Sequence, residues 1–169
     1  MRIIAGKYKR KNLLSLEGLD TRPTKDMVKE AIFDTIQISS DDNLLDLFSG
    51  SGAIGIEAIS RGASATFNDL NPKAVDIIKK NLDSINENAS VFCKDAFSLV
   101  ESIDDSFSYI FIDPPYIFDR YDELIDLIKD KNILKHDGTI ILEVNKDTVL
   151  RHIAYKEKIY GISKVLYIK

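Results

Sequence analysis

The stretch LLDLFSGSGAIGIEA, residues 44–58, decides the fold. Its first five residues, apolar except for Asp46, read as a buried strand, and the residues after Gly52 read as the start of a helix. Between the two lie Gly50 and Gly52, with Gly55 three residues further on, a G-x-G-x-x-G spacing. Glycine at such a junction permits a sharp turn, lets a ligand approach bare backbone, and lets a helix pack close to its sheet. Alone the spacing is weak, because a plain connection uses the same residues.

Outward from this junction, apolar runs alternate with amphipathic stretches. Strands are predicted at 44–48, 65–68, 90–93, 108–113 and 139–144, and helices at 24–37, 54–61, 72–86 and 119–131. Pro72 falls in the first turn of its helix, where proline is favoured. The alternation predicts an α/β fold with parallel strands covered by helices. The ends differ: residues 2–14 (RIIAGKYKRKNLL) read as a hairpin turning near Gly6 or Lys9, and residues 155–169 as a second one turning at Gly161. The apolar stripe of YDELIDLIKDKNIL, residues 121–134, reads as core packing.

In such sheets ligands bind at the carboxyl ends of the strands, so the acids there are the candidates. Asp69 ends the second strand, 19 residues after Gly50, where a carboxylate accepts hydrogen bonds from both hydroxyls of a ribose. Asp95 follows the third strand and is a candidate partner for the amine of an adenine. Together they point to an adenosine-containing cofactor, without separating a dinucleotide from S-adenosylmethionine.

DPPY, residues 113–116, makes that separation. Neither Pro114 nor Pro115 has an N–H, so the strand stops abruptly and leaves a pocket rich in acceptors. Asp113 and the Pro114 carbonyl suit a planar amino group, and the Tyr116 ring suits a stacked base. An amine attacking a methyl group gains positive charge, which such acceptors stabilise.

The 169 residues, 44% hydrophobic and 30% charged, suffice for one core, so 1–169 reads as a single domain with residues 1–22 as a basic arm folded onto it. No apolar run approaches the roughly 20 residues of a membrane span, and the start lacks a secretory signal, which predicts a cytoplasmic protein. Cys93 has no second cysteine to bridge and reads as a small buried side chain. A nucleophile acting on a pyrimidine carbon would sit in the fourth-strand motif instead. With only His136 and His152, both read as surface residues, no metal cluster is expected. The net charge of -4 hides an uneven distribution: residues 1–30 carry +4, residues 31–145 carry -12 and residues 146–169 carry +4. Arg2, Lys7, Lys9, Arg10 and Lys11 precede any acid.

The chain resembles class I S-adenosylmethionine-dependent methyltransferases that modify exocyclic amines, and within them the RsmD family, bacterial 16S ribosomal RNA guanine-N2 methyltransferases. The stretches MRIIAGKYK, GLDTRPTKDMVKEAIFD, LLDLFSGSGAIGIEAISRGA, DLNPKA, FIDPPY and EKIYGISK carry the resemblance over nearly the whole chain. It implies a Rossmann-like, mostly parallel seven-stranded sheet with helices on both faces and an N-terminal β-hairpin arm. Asp46, Gly50 and Gly52 would line S-adenosylmethionine, Asp69 would hold its ribose, and Asp95 and Ala96 would flank adenine. Asp113, Pro114 and Tyr116 would form the amine site. The arm would meet 16S ribosomal RNA, within a small-subunit particle or an assembly intermediate, Arg22 and Thr24 would lie near the methionine end of the cofactor or the incoming RNA, and the enzyme would be a monomer. Two departures from the family pattern are Asp69, where a Glu is usual, and Ile159, where an Arg often precedes the Tyr-Gly pair. Adenine-N6 or cytosine-N4 methylation of DNA uses the same motif. A nicotinamide-dependent oxidoreductase would share the glycines and the ribose acid, and a noncatalytic RNA-binding module would share the basic arm.

Overall fold

The computed structural model describes residues 1–16 and 23–169, without the side chains of residues 23–25. Seven strands form one sheet: β1 (Asn43–Asp46), β2 (Ser64–Asn68), β3 (Ser90–Phe92), β4 (Phe107–Ile112), β5 (Leu134–Asn145), β6 (Lys156–Tyr160) and β7 (Ser163–Ile168). Their order is β3-β2-β1-β4-β5-β7-β6. β1 to β5 pair in parallel, and β7 runs antiparallel to both of its neighbours, which makes the sheet mixed. The doubly wound dinucleotide order keeps its sixth strand parallel beside the fifth. Here the C-terminal hairpin inserts β7 in that place, so the fold departs from the nicotinamide alternative.

Side chains alternate between the two faces of a strand, and the cores follow that alternation. Leu45, Ile110 and Ile140 pack on one face against Leu99 and Val100 of α4 (Ala96–Ser102) and Leu124, Ile125 and Ile128 of α5 (Tyr121–Asp130). Leu44, Phe111 and Ile141 pack on the other face against Val28, Ile32 and Phe33 of α1 (Pro23–Ile36). Under β2, Phe67 meets Ile56 of α2 (Ala53–Ser60) and Ile78 and Leu82 of α3 (Pro72–Ser84), together with Ile3 and Leu13 from the N-terminal segment. A Cβ on Gly55 would lie 2.2 Å from the Phe67 ring, so this glycine serves the close packing of α2 on the sheet.

Two elements differ from the reading of the sequence. α4 was not predicted; Asp95 caps it, with Oδ1 accepting from the Phe97 and Ser98 N–H groups at 3.0 and 3.2 Å. An acid before a short apolar run is the usual signature of such a start. β5 begins five residues earlier than expected, because Phe107 pairs with Leu134 while Tyr109 pairs with Thr139. The extra residues, exposed His136 among them, bulge out of the strand.

The N-terminal arm folds back through one antiparallel bridge, Arg2 to Asn12, and lies along α2. Its attachment centres on Glu57, an acid in an otherwise apolar helix and fully buried. Glu57 accepts from the Ile4 and Ala5 N–H groups at 2.8 and 3.0 Å and pairs with Arg61 at 3.0 Å and buried Lys29 at 3.7 Å. Lys29 in turn donates to the Arg2 carbonyl at 2.7 Å. Losing one member of a buried charged group of this kind costs about 3–5 kcal/mol, because the others stay buried without it. Nearer the tip, Ser60 Oγ donates to the Ala5 carbonyl and accepts from the Tyr8 N–H, at 2.6 and 3.0 Å. A Cβ on Gly6 would lie 1.8 Å from the Ser60 carbonyl oxygen, and at φ 80° this position requires glycine.

Candidate active site

The strand order reverses between β1 and β4, which opens a crevice at their carboxyl ends. Asp46 closes β1 opposite Phe111 of β4, and Asp113 follows the last residue of β4, Ile112. Asp69 follows β2 and Asp95 follows β3. The structure therefore brings together at one end of the sheet every residue expected to hold the cofactor or the amine.

Asp46 is 1% exposed. Its Oδ2 accepts from the Gly55 N–H at 3.1 Å, while its Oδ1 is buried with no partner among the described residues. Burial pushes its carboxyl up to about 7, a shift that the Gly55 N–H partly opposes and the nearby Asp69 charge increases. Gly50 and Gly52 both take positive φ, 54° and 81°. A Cβ on Gly52 would press on Ile78, Phe67 and Ile56 at 3.2 to 3.4 Å, whereas one on Gly50 would meet nothing within 4 Å among the described residues. Gly52 thus serves the turn and the packing beneath it, and Gly50 faces open space. An unpartnered carboxylate oxygen and a bare stretch of backbone fit a cationic ligand with hydroxyl donors.

Asp69 binds the loop as well as facing the crevice: Oδ2 accepts from the Gly50 N–H and Oδ1 from the Asn71 N–H, both at 2.8 Å. Two lone pairs remain on the carboxylate for further donors. Asp95 is exposed and Ala96, the first residue of α4, is buried. Next to them an aromatic group joins the loops after β1 and β4 to α4 and α5. Phe118, just past DPPY, meets Phe48 edge-on at 5.5 Å, Phe97 at 6.4 Å and Tyr121 at 5.1 Å, and the Arg120 guanidinium lies 4.1 Å from the Phe97 centroid.

In the DPPY segment Pro114 is buried, Asp113 half-buried and Tyr116 81% exposed. The Tyr116 ring is thus presented to solvent beside the acids.

The basic arm lies elsewhere. α2 runs from the glycine loop back to the amino ends of the strands, and the arm follows it, so Lys7, Lys9, Arg10 and Lys11 sit at the end of the sheet opposite the crevice. The eight residues of α2 put roughly 12 Å between that tip and the glycine loop. Lys7 is paired with Glu87 at 3.2 Å, and the Tyr8 hydroxyl donates to the same carboxylate. Arg2 is exposed at the arm's base. Arg22 lies outside the described residues, and Thr24 is in α1 with its side chain outside them. An open hollow of about 460 Å³ bordered by Asn43, Thr66, Glu87 and Asp105 also lies at the amino ends, away from the crevice acids.

Two expectations about other residues are corrected. Cys93 is exposed, because β3 ends at Phe92 and the next residue has left the sheet. His152 is not a free surface residue: its ring is 17% exposed and Nε2 lies 2.9 Å from Asp126 Oδ1 on α5. The sequence reading missed Glu57, Asn68 and Asn81, all buried. For Glu57, a lone acid in an apolar helix, and Asn68, at the end of an apolar strand, that position was the available signal, since burial obliges such a group to find partners; Asn81, in the amphipathic α3, gave none. Among the described residues no group of His, Cys, Asp or Glu is placed to hold a metal ion, and no helix is long and apolar enough to cross a membrane.

Comparison with known proteins agrees with this fold. The family model described as Conserved hypothetical protein 95 matches residues 1–169. Ribosomal RNA small subunit methyltransferase D of Haemophilus influenzae is 34% identical, over 96% of this chain and 90% of its own. A hypothetical protein of Thermus thermophilus superposes with a TM-score of 0.88 at 25% identity, covering 100% of this chain and 99% of its own. The T. thermophilus 16S rRNA N2 G1207 methyltransferase, solved with AdoMet and guanosine, shares the fold at a TM-score of 0.75 and 18% identity, over 91% of this chain and 44% of its own. Full-length agreement in sequence and in fold places the chain in the family of ribosomal RNA small subunit methyltransferase D.

Proposed function

We propose that the protein transfers the methyl group of S-adenosylmethionine to the exocyclic N2 amine of a guanine in small-subunit ribosomal RNA. One observation carries this reading: DPPY follows β4 directly at the reversal of strand order, beside the buried acid and bare glycine backbone of β1. Bound S-adenosylmethionine supplies an electrophilic methyl group on a sulfonium.

The residues of the chain do the rest. Asp46, Gly50 and Gly52 line the cofactor, Asp69 takes the ribose hydroxyls, and Asp95 and Ala96 flank the adenine; Asp95 does so with the oxygen not occupied in capping α4. Asp113 and the Pro114 carbonyl accept the two N–H groups of the target amine and orient its lone pair, while Tyr116 stacks on the base. The nitrogen–carbon bond forms as the carbon–sulfur bond breaks, and the amine then gives up one proton, to water or to Asp113. The base must leave its stack or already be exposed to reach Tyr116. Arg2, Lys7, Lys9, Arg10 and Lys11 contact phosphates, and Arg22 and Thr24 serve the methionine end of the cofactor or the incoming RNA.

The name of the 34% identical relative supports ribosomal RNA as the substrate. We further propose that residues 1–169 act as one domain and a monomer, in the cytoplasm, on a small-subunit particle or assembly intermediate. A map of methylated nucleotides in ribosomal RNA from cells with and without the gene tests the reading. Loss of one N2-methylguanine from the small-subunit RNA is expected, and an unchanged map refutes it.

A further inference from the structure

Asn68 closes β2 and is 1% exposed, immediately before Asp69. Every hydrogen-bonding group of its side chain is occupied by backbone from two other loops. Nδ2 donates to the Leu47 carbonyl at 3.1 Å and to the Lys94 carbonyl at 3.0 Å, and Oδ1 accepts from the Lys94 N–H at 3.2 Å. Its main chain is tied as tightly: the Asn68 N–H donates to Ser49 Oγ at 3.1 Å, and the Asn68 carbonyl accepts from the Ser49 N–H at 2.9 Å. Ser49 Oγ in turn donates to the Asp46 carbonyl at 2.6 Å.

Ser49 precedes Gly50 and Lys94 precedes Asp95. One buried amide therefore joins the loops after β1 and β3, while its own chain continues into Asp69. An amide is the group that does this: it offers two donors and an acceptor on one plane, and an apolar side chain would leave the Leu47 and Lys94 groups without those bonds.

We propose that Asn68 is the positioning residue that sets the separation of the three cofactor loops, and through it the affinity for S-adenosylmethionine, without touching the cofactor or the reacting amine. This rests on the function proposed above. Because the DPPY segment is not among its partners, Asn68 governs cofactor binding and leaves the chemical step alone.

The test compares Asn68→Leu and Asn68→Asp with the parent protein, using calorimetric titration with S-adenosylmethionine and single-turnover methyl transfer to small-subunit RNA at saturating cofactor. Both variants should bind the cofactor about tenfold more weakly or worse, with transfer rates at saturation within about threefold of the parent. In Asn68→Asp the deficit relative to the parent should shrink as pH falls, because a protonated carboxyl regains a donor toward the two carbonyls. Unchanged affinity in a folded variant, or a lower transfer rate at unchanged affinity, overturns the proposal. Hydrogen exchange on the parent protein needs no variant: the Lys94 N–H should be protected before any cofactor is added, and rapid exchange there also overturns it. A parent that binds no S-adenosylmethionine would instead refute the functional reading, with the exchange measurement still judging whether Asn68 joins the loops.

Discussion

Asp69 accepts a hydrogen bond from the Gly50 N–H at 2.8 Å, so the acid proposed to hold a ribose also fixes the glycine proposed to leave room for it. Replacing this carboxylate removes two things at once: an acceptor for the ribose hydroxyls and the anchor of the glycine loop. Asp69→Ala should weaken S-adenosylmethionine binding by about 1.5–3 kcal/mol, the range for hydrogen bonds to a charged group. Calorimetry at constant pH reads this directly, and an unchanged dissociation constant would remove Asp69 from the site.

Asp46 predicts a pH dependence whose sign can be worked out. Its carboxyl is raised from an ordinary 3.8 to about 7 by burial, so the folded protein holds a proton that the unfolded chain releases. The stabilisation is complete below about pH 4 and is lost as pH rises through about 7. A cationic cofactor beside Asp46 favours the carboxylate, so binding at pH 6 should release a proton and affinity should increase toward pH 8. Titration in two buffers of different ionisation enthalpy counts that proton. Asp46→Asn should lose the proton release and flatten both profiles, whereas a variant that releases the same proton assigns it elsewhere.

The chemical step is separable from binding at Asp113. An acceptor is most needed when the amine nitrogen turns cationic, so Asp113→Ala should slow single-turnover transfer by about 10²–10³-fold, the scale of losing one aligned electrostatic partner. Cofactor affinity should stay within about twofold of the parent. A variant as fast as the parent would reduce DPPY to a device for ending β4.

The parts legible in the sequence were those set by local chemistry. Gly50, Asp69, Asp113 and the apolar strand runs declare themselves because turn geometry, charge and alternation act over a few residues. Asn68 did not, because its partners, Leu47 and Lys94, are 21 and 26 residues away and only sheet pairing brings them together. Glu57 stayed hidden for the same reason, its partners Ile4 and Ala5 lying more than 50 residues distant. Asp95 was seen as a ligand acid, and its capping of α4 was missed because seven residues give too little helical period to recognise.

The position of the arm tip, opposite the crevice, shapes the last prediction. Lys7 already has Glu87 as a partner, and among the described residues Lys9, Arg10 and Lys11 have no ion-pair partner, so these three have charge to spare for phosphates. Neutralising all four residues should lower RNA affinity and flatten its salt dependence by about 2, three contacts at roughly 0.7 each for single strands. Because the tip is about a helix length from the glycine loop, the effect should appear with long RNA or the particle and vanish with an oligonucleotide too short to span α2. S-adenosylmethionine affinity should not change. Titrations at three salt concentrations on both substrates check this. An equal loss on the short substrate would place RNA contacts of the arm near the crevice, and no loss on either would mean that other surfaces hold the RNA.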